Sequence, residues 1–337
     1  MLIKKLKRGI TRWLESCWYQ DNPTQNILIP LEQLFKLIVK LRTFAYQTGL
    51  KKRNNFSCPV IVVGNLTVGG TGKTPLVIWI AKFLISNGFK PGVISRGYGG
   101  IATTWPQRVT SNTDPGIVGD EAVVIARTVD CPIAVGPSRV ENARLLMQSG
   151  DCNILISDDG LQHYALGRNI EICVVDGTRR YGNGRCLPAG PLREPLSRLD
   201  KVDLIVCNGI GLDQEFTMQL EGDLAVNLKD PTHRVELTTL SETPMHAVAA
   251  IGNPQRFFNH LQEFNLKITN TTFPDHHRYD ERDFAFDDSL PILMTEKDAV
   301  KCTLFAKANY WYVPVQADLD VFFGEQLLTL IEERKIG

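Results

Sequence analysis

The chain has 337 residues, of which 43% are hydrophobic and 22% are charged. This composition is typical of a folded globular protein of about two domains, and it excludes a mostly disordered chain. The 37 basic side chains balance the 37 acidic ones, but residues 1–53 hold eleven basic and three acidic residues. That segment therefore carries +8 and the rest of the chain −8, which predicts an anionic partner for the N-terminal end.

The N-terminal segment has the periodicity of two amphipathic helices. Leu2, Leu6, Ile10, Trp13 and Cys17 share one face of the first, and Leu31, Leu34, Phe35, Ile38, Leu41 and Ala45 share one face of the second. Only Arg42 falls on the apolar side of the second helix. Such helices commonly pack on a protein core, but the excess of positive charge favours a pair lying on an anionic membrane surface rather than on nucleic acid. The pattern predicts no signal peptide, because no apolar stretch of ~7–15 residues follows the basic start, and it shows no apolar run of ~18–20 residues, the length that spans a bilayer.

A phosphate-binding loop follows the first buried strand. Residues 58–64 form a short β-branched run, and the next stretch contains three glycines before a Lys-Thr pair and an apolar helix. Strand, glycine loop and helix are the context that a P-loop requires. The predicted nucleotide-binding residues are Thr67, Val68, Gly69, Gly70, Thr71, Gly72, Lys73 and Thr74. Lys73 would reach the β- and γ-phosphates, and the Thr74 hydroxyl would ligate Mg²⁺. The first glycine of the general motif is replaced by Thr67.

Carboxylates occur at two further places that suit this chemistry. Asp158 and Asp159 end a second buried strand, where a Mg²⁺-binding acid is expected beside a P-loop. Asp120 and Glu121 open a helical stretch, and either is a candidate base for an acceptor hydroxyl. The loop at 273–279 contains Asp275, His276 and His277, and a histidine there could orient a carboxylate base. The eight cysteines form no C-x-x-C pair, which indicates reduced thiols of a cytosolic protein rather than a zinc site.

The order of strands and helices predicts an α/β protein with mainly parallel sheets. Strand-like runs occupy residues 59–63, 92–94, 132–135, 153–157, 170–175, 203–207, 246–251, 291–294 and 310–315. We predict N-terminal membrane-associated helices over 1–56, a P-loop kinase domain over 57–177, a Gly-, Pro- and Arg-rich junction over 178–200, and a second α/β domain over 201–337. The arginines of the junction suit a phosphorylated substrate.

Seven motifs occur in an order that resembles one known family. They are GNLTVGGTGKTP (64–75), SRGYGG (95–100), GDE (119–121), DDGLQH (158–163), GNGRCLPAGPLREP (182–195), DHHRY (275–279) and MTEKDAVK (294–301). Together they closely resemble the tetraacyldisaccharide 4′-kinases of lipid A biosynthesis over essentially the whole chain. The Thr67 departure is shared by that family.

The resemblance implies transfer of the γ-phosphate of ATP, with Mg²⁺, to the 4′-hydroxyl of a tetraacylated glucosamine disaccharide 1-phosphate. It implies action at the cytoplasmic face of the bacterial inner membrane, and we expect a monomer. Its implied fold is two three-layer α/β/α domains, the first a P-loop NTPase domain, with the active site in the cleft between them.

The family's roles are carried over by motif position. Lys73 and Thr74 bind phosphate and metal, and Glu121, Asp158 and Asp159 lie in the metal and nucleotide environment. Asp120 is the general base, supported by His276, the first histidine of DHH; motif position alone selects it over His277. Two alternatives are a membrane-associated P-loop GTPase and a nucleotide-dependent ligase. The GTPase would need an N-K-x-D motif, which the TEKD sequence at 295–298 lacks.

Overall fold

A computed structural model describes residues 9, 13–20 and 22–334. The first predicted amphipathic helix therefore lies largely outside the described residues, although 13–19 are helical. By its internal contacts the chain divides into two compact units. Unit 1 comprises residues 1–73, 156–219 and 319–337, and unit 2 comprises residues 74–155 and 220–318. This grouping runs across the predicted domain boundaries because both units combine separated stretches of chain, and the predicted domains stay a prediction.

The described strands are fifteen in number, and the nine predicted runs all coincide with strands. In chain order they are β1 (Val60–Gly64), β2 (Pro91–Ser95), β3 (Gln107–Val109), β4 (Ile133–Val135), β5 (Ile154–Ser157), β6 (Ile170–Asp176), β7 (Leu204–Asn208), β8 (Phe216–Glu221), β9 (Leu224–Asn227), β10 (Arg234–Glu236), β11 (Met245–Ala249), β12 (Ile268–Thr272), β13 (Ile292–Thr295), β14 (Tyr310–Val313) and β15 (Gln316–Leu319). The prediction of an α/β protein with parallel sheets is confirmed.

After the helical residues 13–19, the next α-helices are α1 (Ile29–Gln47) and α2 (Lys73–Ser86). The others are α3 (Pro115–Val118), α4 (Asp120–Thr128), α5 (Arg139–Ser149), α6 (Pro254–Glu263), α7 (Glu296–Cys302) and α8 (Val321–Arg334). No helix in the described part of the chain is long and apolar enough to cross a membrane.

Unit 1 is built on parallel strands in the order β8–β7–β6–β1. The register aligns Ile61 of β1 with Ile170 of β6, and Ile172 of β6 with Leu204 of β7. All five residues of β1 are buried, as expected for a β-branched strand covered on both faces. The P-loop follows the carboxyl end of β1, which is the edge at which parallel α/β sheets bind ligands.

Unit 2 contains β2, β4 and β3 and a separate six-stranded sheet in the order β10–β9–β14–β13–β11–β12. The four neighbouring strands β12, β11, β13 and β14 are parallel. Beyond them, β9 pairs antiparallel with β14, and β10 pairs antiparallel with β9. Residues of β11, β13 and α6 form one buried core of this sheet, including Met245, Leu293 and Phe258. The DHHRY motif lies in the loop after β12, and the TEKD motif spans the end of β13 and the start of α7, so both are anchored to the sheet.

The second amphipathic helix is confirmed as α1, and its apolar face is exposed. Leu31, Leu34, Leu37, Ile38, Leu41 and Phe44 are each between 51% and 58% exposed. The opposite side packs inward, where the Glu32 side chain is completely buried. Arg42, which the periodicity places on the apolar face, donates from Nη2 to the carbonyl of Gln162 at 3.0 Å. This hydrogen bond explains why a charged residue occurs at that position of the helix.

All eight cysteines are free thiols, and seven of them are buried.

Candidate active site

Asp120 is turned inward by the backbone immediately before it. Gly119, which caps α4, has φ +93°, a conformation that favours glycine. A Cβ at position 119 would lie 2.5 Å from the carbonyl oxygen of Tyr98, so only glycine allows this close packing. Asp120 is thus the first residue of the helix, and its side chain is only 4% exposed. A carboxylate at a helix N-terminus also gains from the helix dipole.

His276 faces this carboxylate from a loop 156 residues further along the chain. Its Nδ1 lies 3.1 Å from Oδ1 and 3.0 Å from Oδ2 of Asp120. The His276 backbone is left-handed, with φ +57°, a strained conformation often found at functional sites. His277 points elsewhere, because its Nε2 lies 2.9 Å from Asp283 Oδ2 and its ring stacks on Phe273. The structure therefore brings together Asp120 and His276, and not His277.

Two lysines of α7 surround the pair. Lys297 Nζ donates to Glu121 Oε1 at 3.1 Å and lies 3.5 Å from His276 Nε2. Lys301 Nζ lies 3.9 Å from Asp120 Oδ2 and 2.6 Å from the buried Asp298. The carboxylate of Glu121, which the resemblance assigns to the metal environment, is therefore engaged by Lys297 in this structure.

This arrangement shifts the proton affinities of the pair in opposite directions. Burial acts to raise the pKa of Asp120, but the hydrogen bond to His276 and the charges of Lys297 and Lys301 outweigh it, so the pKa lies below its ordinary value. Burial acts to lower the pKa of His276, and the bond to Asp120 outweighs that effect and raises it. Burial likewise opposes the charge of Lys297, but Glu121, Asp120 and Asp275 raise its pKa, so this lysine stays a cation.

The Asp120–His276 pair opens onto a cavity of about 180 Å³. Tyr98, Arg278, Tyr279 and Lys301 also line it. The ring of Tyr98 lies 4.7 Å from that of His276. A small concave site with an aromatic wall, a cation and a paired carboxylate suits a hydroxylated acceptor whose proton must be removed.

Unit 1 holds the second set of predicted site residues, around the P-loop lysine. Lys73 Nζ donates to Asn65 Oδ1 at 3.2 Å and lies 3.5 Å from Asp159 Oδ1. Arg193 Nη1 donates to both carboxylate oxygens of Asp159, at 3.1 and 3.2 Å. Gly72 has φ +91°, and a Cβ there would lie 2.4 Å from the Asn208 amide nitrogen, so the loop requires glycine at this point. The structure therefore brings together Lys73 and Asp159.

Other residues of the P-loop differ in whether their backbone N–H or hydroxyl groups are free to bind a phosphate. The amide of Val68 donates to the carbonyl of Pro191 at 2.9 Å, so this N–H is already engaged. Thr67 forms an antiparallel bridge with Leu192. The hydroxyl of Thr71 is buried without a hydrogen-bond partner among the described residues. Thr74 is the second residue of α2. The phosphate contacts of residues 67–74 stay predictions.

The residues at the end of β5 fit a magnesium ion in their chemistry. Asp158 is buried and Asp159 adjoins it, with φ +47°. Mg²⁺ in phosphoryl-transfer sites is held by one or two carboxylates, with phosphate and water supplying the other ligands. No group of three or more His, Cys, Asp or Glu side chains that could hold a metal alone occurs in the described part of the chain. Two carboxylates beside a P-loop therefore suit an ion that arrives with its nucleotide.

Several residues near these groups received no individual role from the sequence. Lys297 and Lys301 belong to the MTEKDAVK motif, and Arg193 to the GPLREP motif, but motif membership does not say what a side chain contacts. Asn65 belongs to the GNLTVGGTGKTP motif, which likewise does not say what its side chain contacts. Its contact with Lys73 depends on how the loop returns over the end of β1.

The chain is similar to known proteins over most of its length. A family model described as tetraacyldisaccharide-1-P 4′-kinase (LpxK) matches residues 24–332. A tetraacyldisaccharide 4′-kinase of Nitrosococcus oceani is 54% identical over 316 residues, covering 94% of this chain and 93% of the relative. One from Methylobacillus flagellatus is 47% identical over 334 residues, covering 98% and 99%. The crystal structure of LpxK from Aquifex aeolicus in complex with ATP is similar with a TM-score of 0.77 at 25% identity, covering 91% of this chain and 99% of that one.

Proposed function

Because the chain belongs to the tetraacyldisaccharide-1-P 4′-kinase family, we infer that it is a lipid kinase of lipid A biosynthesis. It transfers the γ-phosphate of ATP to the 4′-hydroxyl of a tetraacylated glucosamine disaccharide 1-phosphate. The observation that carries the chemistry is the contact between Asp120 and His276, which the fold makes from two distant motifs at the mouth of a cavity. The relatives are named as kinases, which disfavours the GTPase and ligase alternatives.

Residues 57–177 are proposed as the P-loop kinase domain that holds the nucleotide. Lys73 would neutralise negative charge on the β- and γ-phosphates, and its contacts with Asn65 and Asp159 keep the ammonium group at the loop. Arg193 is bonded to Asp159 and would add a second positive charge on the same side. Phosphoryl transfer depends mainly on such positioning and charge stabilisation.

Asp158 and Asp159, with Thr74 and Glu121, are the residues proposed to hold Mg²⁺. When bound, the ion would neutralise phosphate charge and orient the β- and γ-phosphates. Release of Glu121 from Lys297 would be required before its carboxylate could serve as a ligand.

Asp120 is the proposed general base. Its carboxylate takes the proton from the 4′-hydroxyl as the sugar oxygen forms a bond to the γ-phosphorus. The bond from that phosphorus to the β-γ bridging oxygen breaks, and ADP leaves. An isolated aspartate is a weak base for an alcohol. His276 orients the carboxylate through Nδ1 and can share the proton as it is taken up.

The membrane is proposed as the place where the substrate is met. The exposed apolar face of α1 would enter the interface of the bilayer, and the basic residues of the N-terminal segment would contact anionic lipid. Since ATP is supplied from the cytoplasm, the expected location is the cytoplasmic face of the bacterial inner membrane. The expected oligomeric state is a monomer.

The test is transfer of labelled phosphate. The full chain is incubated with γ-labelled ATP, Mg²⁺ and the tetraacylated disaccharide 1-phosphate, and the organic-extractable fraction is counted. We expect label in a lipid with one more phosphate at the 4′ position, and none without the acceptor. Label released only as inorganic phosphate, or greater turnover with GTP than with ATP, would contradict the proposal.

A further inference from the structure

The protein-facing side of α1 carries a buried acid that the membrane role does not explain. Glu32 has no exposed surface, although it belongs to a helix whose other face is open to solvent. Its Oε1 accepts from the backbone amide of Cys186 at 3.1 Å, and Oε2 accepts from Arg185 Nη1 at 3.2 Å. Lys36 adds an ion pair at 2.5 Å. A buried carboxylate needs this many partners, so the helix is held to residues 185 and 186 at one defined point.

Those two residues belong to a loop, residues 182–193, that is also hydrogen-bonded to the chain at the start of the phosphate-binding loop. Within it, the amide of Leu192 donates to the carbonyl of Arg185, and that of Leu187 to Leu192. On its far side, Val68 donates its amide to Pro191 at 2.9 Å and Arg193 donates its amide to Leu66 at 2.6 Å. The same Arg193 side chain reaches Asp159. A hydrogen-bonded connection therefore runs from Glu32 to the entry of the P-loop.

A second hydrogen-bonded connection begins at Arg42, further along the same helix. Arg42 donates to the carbonyl of Gln162 in the DDGLQH segment. The side-chain amide of Gln162 donates to the carbonyl of Asn65 at 3.2 Å, and Asn65 Oδ1 accepts from Lys73. Glu32, on the inward side of the helix, and Arg42, at the apolar side, thus contact two segments that are hydrogen-bonded to the chain around Lys73.

We propose that Glu32 and Arg42 are positioning residues for the nucleotide site, and that seating of α1 on the protein helps to set the conformation of the P-loop. Neither side chain touches the site itself. The helix would therefore do more than attach the enzyme to the membrane, because the same element that meets the lipid surface would also determine how well ATP is bound. This inference rests on the proposed function in one respect only, namely that ATP is the ligand of the P-loop.

The experiment measures the equilibrium Kd for a fluorescent ATP analogue with Mg²⁺, using the full chain and no vesicles. The variants are Glu32→Gln, which keeps an oxygen for the Cys186 amide but loses the charge, and Arg42→Ala. Gln33→Ala is the matched control, since residue 33 is exposed on the same helix. We expect the Kd to rise by roughly fivefold to tenfold for the two variants, the range of a modest coupling between sites. The control should bind as the wild type does.

The unfolding midpoint of each variant is measured alongside, because a purely structural role would lower the midpoint and leave the Kd of the folded protein unchanged. A change of Kd in either variant supports the proposal, and an unchanged Kd in both overturns it. Should one variant fail to fold, the other decides. A wild-type chain that binds ATP without phosphorylating lipid would contradict the proposed function and leave this comparison intact.

Discussion

At the scale of single residues, the acceptor chemistry depends on how an acid and an imidazole share a proton. The Asp120 carboxylate is buried and surrounded by His276, Lys297 and Lys301, all of which favour its ionised form. That environment keeps the base ready to accept a proton but lowers its intrinsic basicity. His276 assists by orientation, because its Nδ1–H donates to the carboxylate and holds it towards the acceptor hydroxyl.

The first prediction follows from this shared role. Asp120→Ala and His276→Ala should each lower kcat at saturating ATP and lipid by about 10²-fold or more, and the double variant should be little worse than the worse single one. His277→Ala is the matched control, because that ring contacts Asp283 instead. Multiplicative losses in the double variant, or a loss confined to His277→Ala, would contradict a shared Asp120–His276 unit.

The second prediction concerns stability and pH. The raised pKa of His276 means that its contribution to stability is fully present below its unfolded value of ~6.5 and is lost as pH rises through the folded pKa. The lowered pKa of Asp120 gives a contribution present above ~3.9 and lost as pH falls through the folded pKa. His276→Asn should therefore lower the Tm more at about pH 5.5 than at about pH 9. The loss of Tm relative to wild type should be roughly 2–4 °C greater at the lower pH. Parallel Tm curves would argue against the ion pair.

At the scale of secondary-structure elements, α1 is an amphipathic helix whose orientation is opposite to that of an ordinary surface helix. Its apolar residues face outward and its buried acid faces inward, held by Arg185 and the Cys186 amide. Soluble proteins rarely expose an apolar strip of this size without a partner for it. A lipid surface is the partner that the basic N-terminal segment favours.

The third prediction tests that face. Leu34→Glu together with Leu41→Glu should weaken cosedimentation with anionic vesicles by at least about 10²-fold, since each inserted leucine is worth roughly 1.5–3 kcal/mol. Both side chains are more than half exposed, so the unfolding midpoint should change little. Gln33→Glu adds negative charge on the polar side and serves as the control. Vesicle binding by the double variant as strong as that of wild type would exclude the apolar face as the membrane contact.

At the scale of the whole molecule, each group proposed to react belongs to one of the two compact units. Lys73 belongs to unit 1, whereas Asp120 and His276 belong to unit 2. Each unit is assembled from separated stretches of chain, so neither set of residues can be removed as a contiguous piece without disrupting the other unit. Single substitutions in the full chain are therefore the suitable probes.

The fourth prediction uses two of them. Lys73→Ala should lower lipid phosphorylation by about 10²–10³-fold while leaving the fold intact, the usual cost of removing one charge-stabilising group. A mixture of Lys73→Ala and Asp120→Ala should recover no activity, because a monomer uses one chain for the whole reaction. Substantial recovery in the mixture, accompanied by a dimer in sedimentation, would show that copies of the chain share their sites.

The sequence by itself determined the elements that have strong local signals. β1, β5 and β6 are rich in Val and Ile and almost wholly buried, and the glycine loop before Lys73 has P-loop spacing apart from Thr67. The pattern of α1 was readable because one face repeats every three or four residues. The strands that were missed, such as β12 with the sequence ITNTT and β10 at the other edge of the same sheet, are short and half exposed. Without a continuous apolar run, only pairing with a neighbouring strand makes them strands.

The tertiary structure alone decided which side chains meet. Motif position selected His276 over His277 without a physical reason, and the structure supplies one: the left-handed backbone at His276, in the loop after β12, lets its ring contact Asp120 while His277 contacts Asp283. The partners of Glu32 and Arg42 lie more than 100 residues away along the chain. Local sequence encodes backbone preference and amphipathic pattern, whereas contacts over such separations exist only because burial of many distant groups together offsets the entropy of bringing them into place.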